Sequence, residues 1–187
     1  MPAAPPVQPV PNARGTPPSA QVQSLARISA ERPGLRKQLI ASTLNHGREL
    51  LISLARVTGG WIGWTPTNLR GIAEQLAFVT LDERSLRRIG DIEQAALVNR
   101  ALESCIAAGS IGTTFAKLSH SLGFRSALRD ALLELRTAGV TPEQVARSTT
   151  EASPSRELAA LLAAYEQLLL AGNLADSATL FCVALEV

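Results

Sequence analysis

Apolar positions recur every three or four residues along most of the chain beyond residue 36, most regularly in GFRSALRDALLELRTAGVTPEQV, residues 123–145. Phe124, Leu128, Ala131, Leu132 and Leu135 share one face at about 100° per residue, which predicts a helix with a core-facing stripe. Arg125, Arg129 and Arg136 fall within about 40° of one another beside that stripe, while Asp130 and Glu134 lie on the far side. The basic and acidic residues of this helix are expected to be segregated. Gly139 suits the left-handed position that ends a helix, and Thr141, Pro142 and Gln144 supply an N-cap, a first-turn proline and a capping-box partner for the next one.

The same pattern orders the rest of the chain. KQLIAS, residues 37–42, reads as a short buried strand, and Asn45 is placed to cap a helix through HGRELLISLARV to the Gly59-Gly60 stop. GGWIGWTPTN, residues 59–68, predicts a second strand, with Thr67 capping LRGIAEQLAF. From Leu81 onward strand signals stop. Helices are predicted at about 91–108, 112–121, across the 123–138 stretch, at 142–148, at 155–171 and from Asp176 to the end. The expected fold is therefore α-rich α/β, a small βαβα part at 34–80 followed by an all-helical subdomain at 81–187. No repeat period of 20 to 50 residues emerges. The last helix runs out without a cap, and the chain is expected to be cut there.

Eight of the eleven prolines lie at or before Pro33. Residues 1–33 are accordingly expected to be a disordered Pro-rich leader. Elsewhere the chain is globular in composition, 46% hydrophobic and 18% charged, yet only 4% aromatic. Its core must be built of Leu, Ala, Val and Ile, which suits helices. A net charge of +2 is too small to demand a nucleic-acid partner, although arginines outnumber lysines sixteen to two and arginine is the better phosphate fork. The two cysteines, Cys105 and Cys182, stand alone, with only His46 and His120 as nitrogen ligands, so neither a disulfide framework nor a zinc site is signalled. No apolar run approaches the ~20 residues of a membrane span. A cytoplasmic protein without membrane contact is expected.

The chemistry that is missing narrows the function. A P-loop needs Gly-Lys-[Ser/Thr], and neither Lys37 nor Lys117 follows a glycine. A restriction-type nuclease needs an acid two residues before a lysine, where Leu35 and Phe115 stand. GSIGTT, residues 109–114, lacks the lysine and the preceding strand and reads as a turn. His46 and His120 have no partner at triad spacing, and Asp82, Glu83, Asp91 and Glu93 read as helix-start acids. No catalytic residue, metal ligand or cofactor site is expected in this chain. Thr43, Asn45 and His46, at the first strand-to-helix loop, can present donors to phosphate or merely cap the helix.

The order LIASTLNHGRELLISLARVTGG, TPTNLRGIAEQLA, GFRSALRDALLELRTAGVTPEQV and LAALLAAYEQLLLAGNLADSATLF resembles the N-terminal part of AddB-type helicase–nuclease proteins. These are relatives of the UvrD-like superfamily one helicases that carry a PD-(D/E)XK nuclease. The resemblance covers residues 36–187. It implies a fragment of a DNA double-strand-break repair subunit with a DNA-binding or scaffolding role. Residues 38–58 would belong to the first motor domain, and the later helices to an inserted subdomain. Its partners would be single-stranded DNA or a duplex end and a second helicase–nuclease subunit. Thr43, Asn45 and His46 match the family's single-strand-contacting loop. With Arg125, Arg129 and Arg136 they make the candidate DNA contacts. The family's ATP-binding motifs, nuclease and four-cysteine iron–sulfur site have no counterpart here. A free-standing helical protein-interaction module is the alternative.

Overall fold

The structure, a computed structural model, describes residues 18–147 and 154–187, apart from the side chains of residues 113 and 114. It is α-rich, with nine helices and four short strands among the described residues. The described residues divide into two compact units, one within 18–72 and the other within 73–187. The boundary between the units falls within the helix Leu69–Glu83.

The first element corrects the leader. Helix α1 spans Ala20–Glu31, capped by Ser19, whose side chain accepts from the Val22 N–H. Prolines stop at Pro18 and resume at Pro33, and the AQVQSLARISAE between them buries Val22 and Leu25 on one side. Proline content counted over the whole segment hid this amphipathic run. Residues 1–17 of the expected leader lie outside the described part.

Strand β1, Lys37–Ile40, leads into helix α2, Leu44–Thr58, and strand β2, Trp64–Thr67, leads into helix α3, Leu69–Glu83. β1 and β2 pair in parallel, Lys37 opposite Trp64 and Ile40 opposite Thr67. The second strand is shorter than its expected span, because Gly59 ends α2 in the left-handed region at φ +80° and the chain turns before Trp64. Leu39 and Trp64 pack with Leu51 and Leu54 of α2 and Leu25 and Ala26 of α1. Gly47 lets α2 lie close on β2, since a Cβ there would stand 3.0 Å from that of Pro66.

Both expected caps shift. Thr43, not Asn45, caps α2, its hydroxyl accepting from the His46 N–H at 3.1 Å. Thr67 is committed to β2, where its carbonyl accepts from Ala41 N–H, so Asn68 caps α3 through a 2.8 Å bond from Gly71 N–H. A residue still paired in a strand lacks the freedom to turn its side chain back onto the helix start.

The second unit has helices α4 (Asp91–Ala107), α5 (Thr113–Leu118), α6 (Leu122–Thr137), α7 (Pro142–Arg147), α8 (Pro154–Ala171) and α9 (Ser177–Leu185). Val98, Leu102, Leu128, Leu132, Leu161 and Leu162 are buried in its main core. A fully buried leucine contributes about 1.5–3 kcal/mol. A smaller cluster joins Ala73, Ala77 and Leu81 of α3 to Leu180 and Val183 of α9. Gly139 takes φ +69°, and Thr141 and Gln144 exchange the reciprocal bonds of a capping box.

The unit is not wholly helical. Two-residue strands β3 (Arg87–Arg88) and β4 (Leu174–Ala175) pair in parallel. Arg87 N–H donates to Asn173 O and Ile89 N–H to Ala175 O. Two residues carry no measurable alternation, and Arg-Arg carries no β signal, so hydropathy could not register them.

Candidate functional site

The carboxyl ends of β1 and β2 open onto a cavity of about 430 Å³ lined by Ile40, Ala41, Ser42, Asn68, Leu69 and Arg70. Parallel strands feeding helices put both helix N-termini at this edge, and a helix N-terminus favours negative charge. Thr43 and Asn68 are spent as caps there. Asn45 and His46 are exposed in the first turn of α2. His46 borders a second cavity of about 460 Å³, with Gln21, Ser24, Leu39 and Ser42. The structure thus brings Thr43, Asn45 and His46 to one edge of the first unit. Arg70 is a cation at that edge that the sequence pattern did not single out. It becomes recognisable only once β2 and β1 are known to be parallel neighbours.

The arginines of α6 do not form a free stripe. Arg125 is half-buried, its Nε–H donating to Ser119 O at 2.6 Å. Arg129 donates to Asp130 Oδ1 from Nε at 3.0 Å and from a terminal nitrogen at 2.8 Å. The wheel separated these two residues, but a long arginine side chain spans the gap to its neighbour.

Arg136 is corrected outright. Its side chain is only 15% exposed and points into the second unit. Nε–H donates to Asp176 Oδ2 at 2.8 Å, and the terminal nitrogens donate to Glu166 at 2.8 Å and to Thr179 Oγ1 at 3.0 Å. The Tyr165 ring lies 5.8 Å from the guanidinium, within cation–π range. With its donors committed to internal acceptors, Arg136 leaves the set of candidate DNA contacts.

Asp176 is the centre of this network and caps α9, accepting from Thr179 N–H at 2.9 Å. Tyr165 donates its hydroxyl proton to Asp176 Oδ2 at 3.2 Å. Burial opposes ionisation of Asp176, but the hydrogen bonds and charge of Arg136, with those of Thr179, outweigh it and hold its carboxyl below the usual range. Burial, and the adjacent Asp176 charge, push the Tyr165 phenol up. The sequence signalled Asp176 as a helix start; nothing local linked it to an arginine forty residues earlier. This is a structural staple joining α6, α8 and α9.

Among the described residues no three His, Cys, Asp or Glu side chains converge as metal ligands. No helix of the described residues is long and apolar enough to cross a membrane. Cys105 is buried, its thiol facing Ala160 O at 3.7 Å, and Cys182 is exposed.

Charge divides with the units. Residues 18–72 hold seven Lys and Arg against two Asp and Glu, a net +5, whereas residues 73–187 hold ten against fourteen, a net −4. The small overall charge conceals two units of opposite sign. No protein-family model matches the chain, and no curated protein is significantly similar to it.

Proposed function

We propose that this chain works in DNA-end processing as part of an AddB-type helicase–nuclease subunit, with a βαβα motor-domain piece whose carboxyl edge touches the phosphate backbone of single-stranded DNA. The observation that carries the reading is the excess of five positive charges on residues 18–72. The unit that holds them contains a parallel strand pair whose helix N-termini share one edge. Phosphate attraction is the sequence-independent part of nucleic-acid binding, and both features serve it. The candidate contacts are Asn45, His46 and Arg70, with the Thr43 loop. Arg125 and Arg129 are secondary, since they belong to a unit of net −4.

The helical unit supplies scaffolding. Its α3 exposes Phe78 at 72% and Val79 at 61%, an apolar pair that suits contact with another protein subunit. This observation favours the second reading, a protein-interaction module.

The test is a fluorescence-anisotropy titration of a labelled single-stranded oligonucleotide at several salt concentrations. Replacing Arg70 with Gln should lower the log–log salt slope by about 0.7, the share of one neutralised phosphate. Replacing Arg125 and Arg129 should change it less. Parent protein that binds no oligonucleotide even at low salt refutes the DNA reading and leaves the protein-interaction module.

A further inference from the structure

The opposite edge of the first unit, at the amino ends of β1 and β2, has its own chemistry. Pro33, Gly34, Lys37, Gly59, Trp61 and Ile62 border a cavity of about 490 Å³. Trp61 is 41% exposed and Ile62 82%. Trp61, one of only two tryptophans in the chain, keeps part of its ring in solvent. Trp64, by contrast, is used internally. Its indole N–H donates to Ser29 Oγ at 2.9 Å, and Lys37 Nζ lies 5.6 Å from its ring centre.

The loop presenting Trp61 has a defined shape. Thr58 Oγ1 donates to Gly60 O at 2.6 Å, and Gly59 holds the left-handed turn that ends α2. Gly63 sits at φ +78° against Leu35, where any Cβ would run into the Leu35 carbonyl oxygen. Residues 33–37 and 59–63 are thereby packed together by backbone contact.

Lys37 lines the cavity, and three exposed arginines flank its lining segments along the chain. Arg32 is the C-cap of α1, Arg36 lies just before β1 and Arg56 is in the last turn of α2. Arg32 and Arg56 are placed to balance the carbonyl ends of their helices, but Arg36 belongs to no helix. Glu49, in the first half of α2, is the only acid between residues 32 and 72. Glu31, beside Arg32, is the neighbouring acid and pairs with Arg27 at 3.9 Å; an exposed indole on segments that carry Arg36, Lys37 and Arg56 matches what an unpaired base and its phosphates require. A base inside a duplex could not reach the ring face.

We infer that this edge is a stacking platform for single-stranded nucleic acid, Trp61 taking an unpaired base while Arg36 and Arg56 meet the flanking phosphates. The inference rests on the assignment of the first unit as the DNA-facing part, and adds a second contact on the edge away from Asn45 and Arg70.

The experiment uses the full chain and oligothymidylate, reading both anisotropy and intrinsic tryptophan fluorescence. Parent emission should be quenched on binding. Trp61→Phe should remove most of the quench while leaving affinity close to the parent's, and Trp61→Ala should weaken binding about tenfold. Circular dichroism and melting of both variants check that they fold. If Trp61→Ala binds as tightly as the parent, the platform is wrong, while the carboxyl-edge contact stands if Arg70→Gln still lowers the salt slope. If the parent does not bind, both assignments fall.

Discussion

The buried staple gives the sharpest quantitative prediction. Arg136→Gln removes the cation from Asp176, whose side chain is 0% exposed, and from Glu166, which is 31% exposed. Breaking a buried pair by deleting one partner costs about 3–5 kcal/mol, because the remaining charge stays out of water. Asp176 would still accept from Thr179 N–H and Oγ1–H at 2.9 Å and from the Tyr165 hydroxyl at 3.2 Å. Those three donors place the expected loss at the low end, about 3 kcal/mol. Arg129→Gln, which breaks a pair whose Asp130 is 63% exposed, should cost at most about 1 kcal/mol. The pH dependence has a definite sign. The folded Asp176 carboxyl lies below its ordinary value of 3.8, so its contribution is fully present above that pH and is lost as pH falls through the folded value. In Arg136→Gln burial acts without the opposing cation, so the stability deficit should be largest near neutrality and narrow below about pH 4. Urea denaturation is the assay, followed by tyrosine difference absorbance. The single tyrosine, Tyr165, lies in the second unit and both tryptophans lie in the first. A loss of about 3 kcal/mol lowers the urea midpoint by roughly 1–3 M. If Arg136→Gln costs no more than Arg129→Gln, the guanidinium is effectively solvated and the staple does not exist.

Two further outcomes test the packing. Cys182 should react with a thiol reagent in the native protein, whereas Cys105, buried against Ala160, should react only in denaturant; equal labelling rates would contradict the core. Burial also raises the Cys105 pKa, which slows its reaction further. Gly63→Ala should destabilise the first unit by about 2 kcal/mol, since alanine is strained at φ +78° and its methyl meets the Leu35 carbonyl. Tryptophan-detected urea unfolding reads this directly, and an unchanged midpoint would mean the loop rearranges freely.

The sequence alone determined whatever depends on neighbours a few residues apart. The α6 stripe, the Gly139 stop and the Thr141–Gln144 capping box are local, because helix periodicity, a left-handed turn and a reciprocal cap each involve residues within about one turn. The absence of P-loop and nuclease signatures was equally readable. What needed partners distant in the chain could not be read. Helix α1 was masked by the prolines on both sides of it, and the β3–β4 pair was too short to carry a period. Asn68 rather than Thr67 caps α3 because Thr67 is held by β1, a pairing that only the fold reveals. Arg136 occupies the same face of the helical wheel as Arg125 and Arg129, and the wheel treats all three alike. The tertiary structure separates them, since the packing of α8 and α9 brings Glu166, Asp176 and Thr179 to one guanidinium and leaves the other two, half-buried, with the local partners Ser119 O and Asp130. Charge followed the same rule: a chain total of +2 says little until the fold assigns the excess to the unit that carries Trp61 and Arg70.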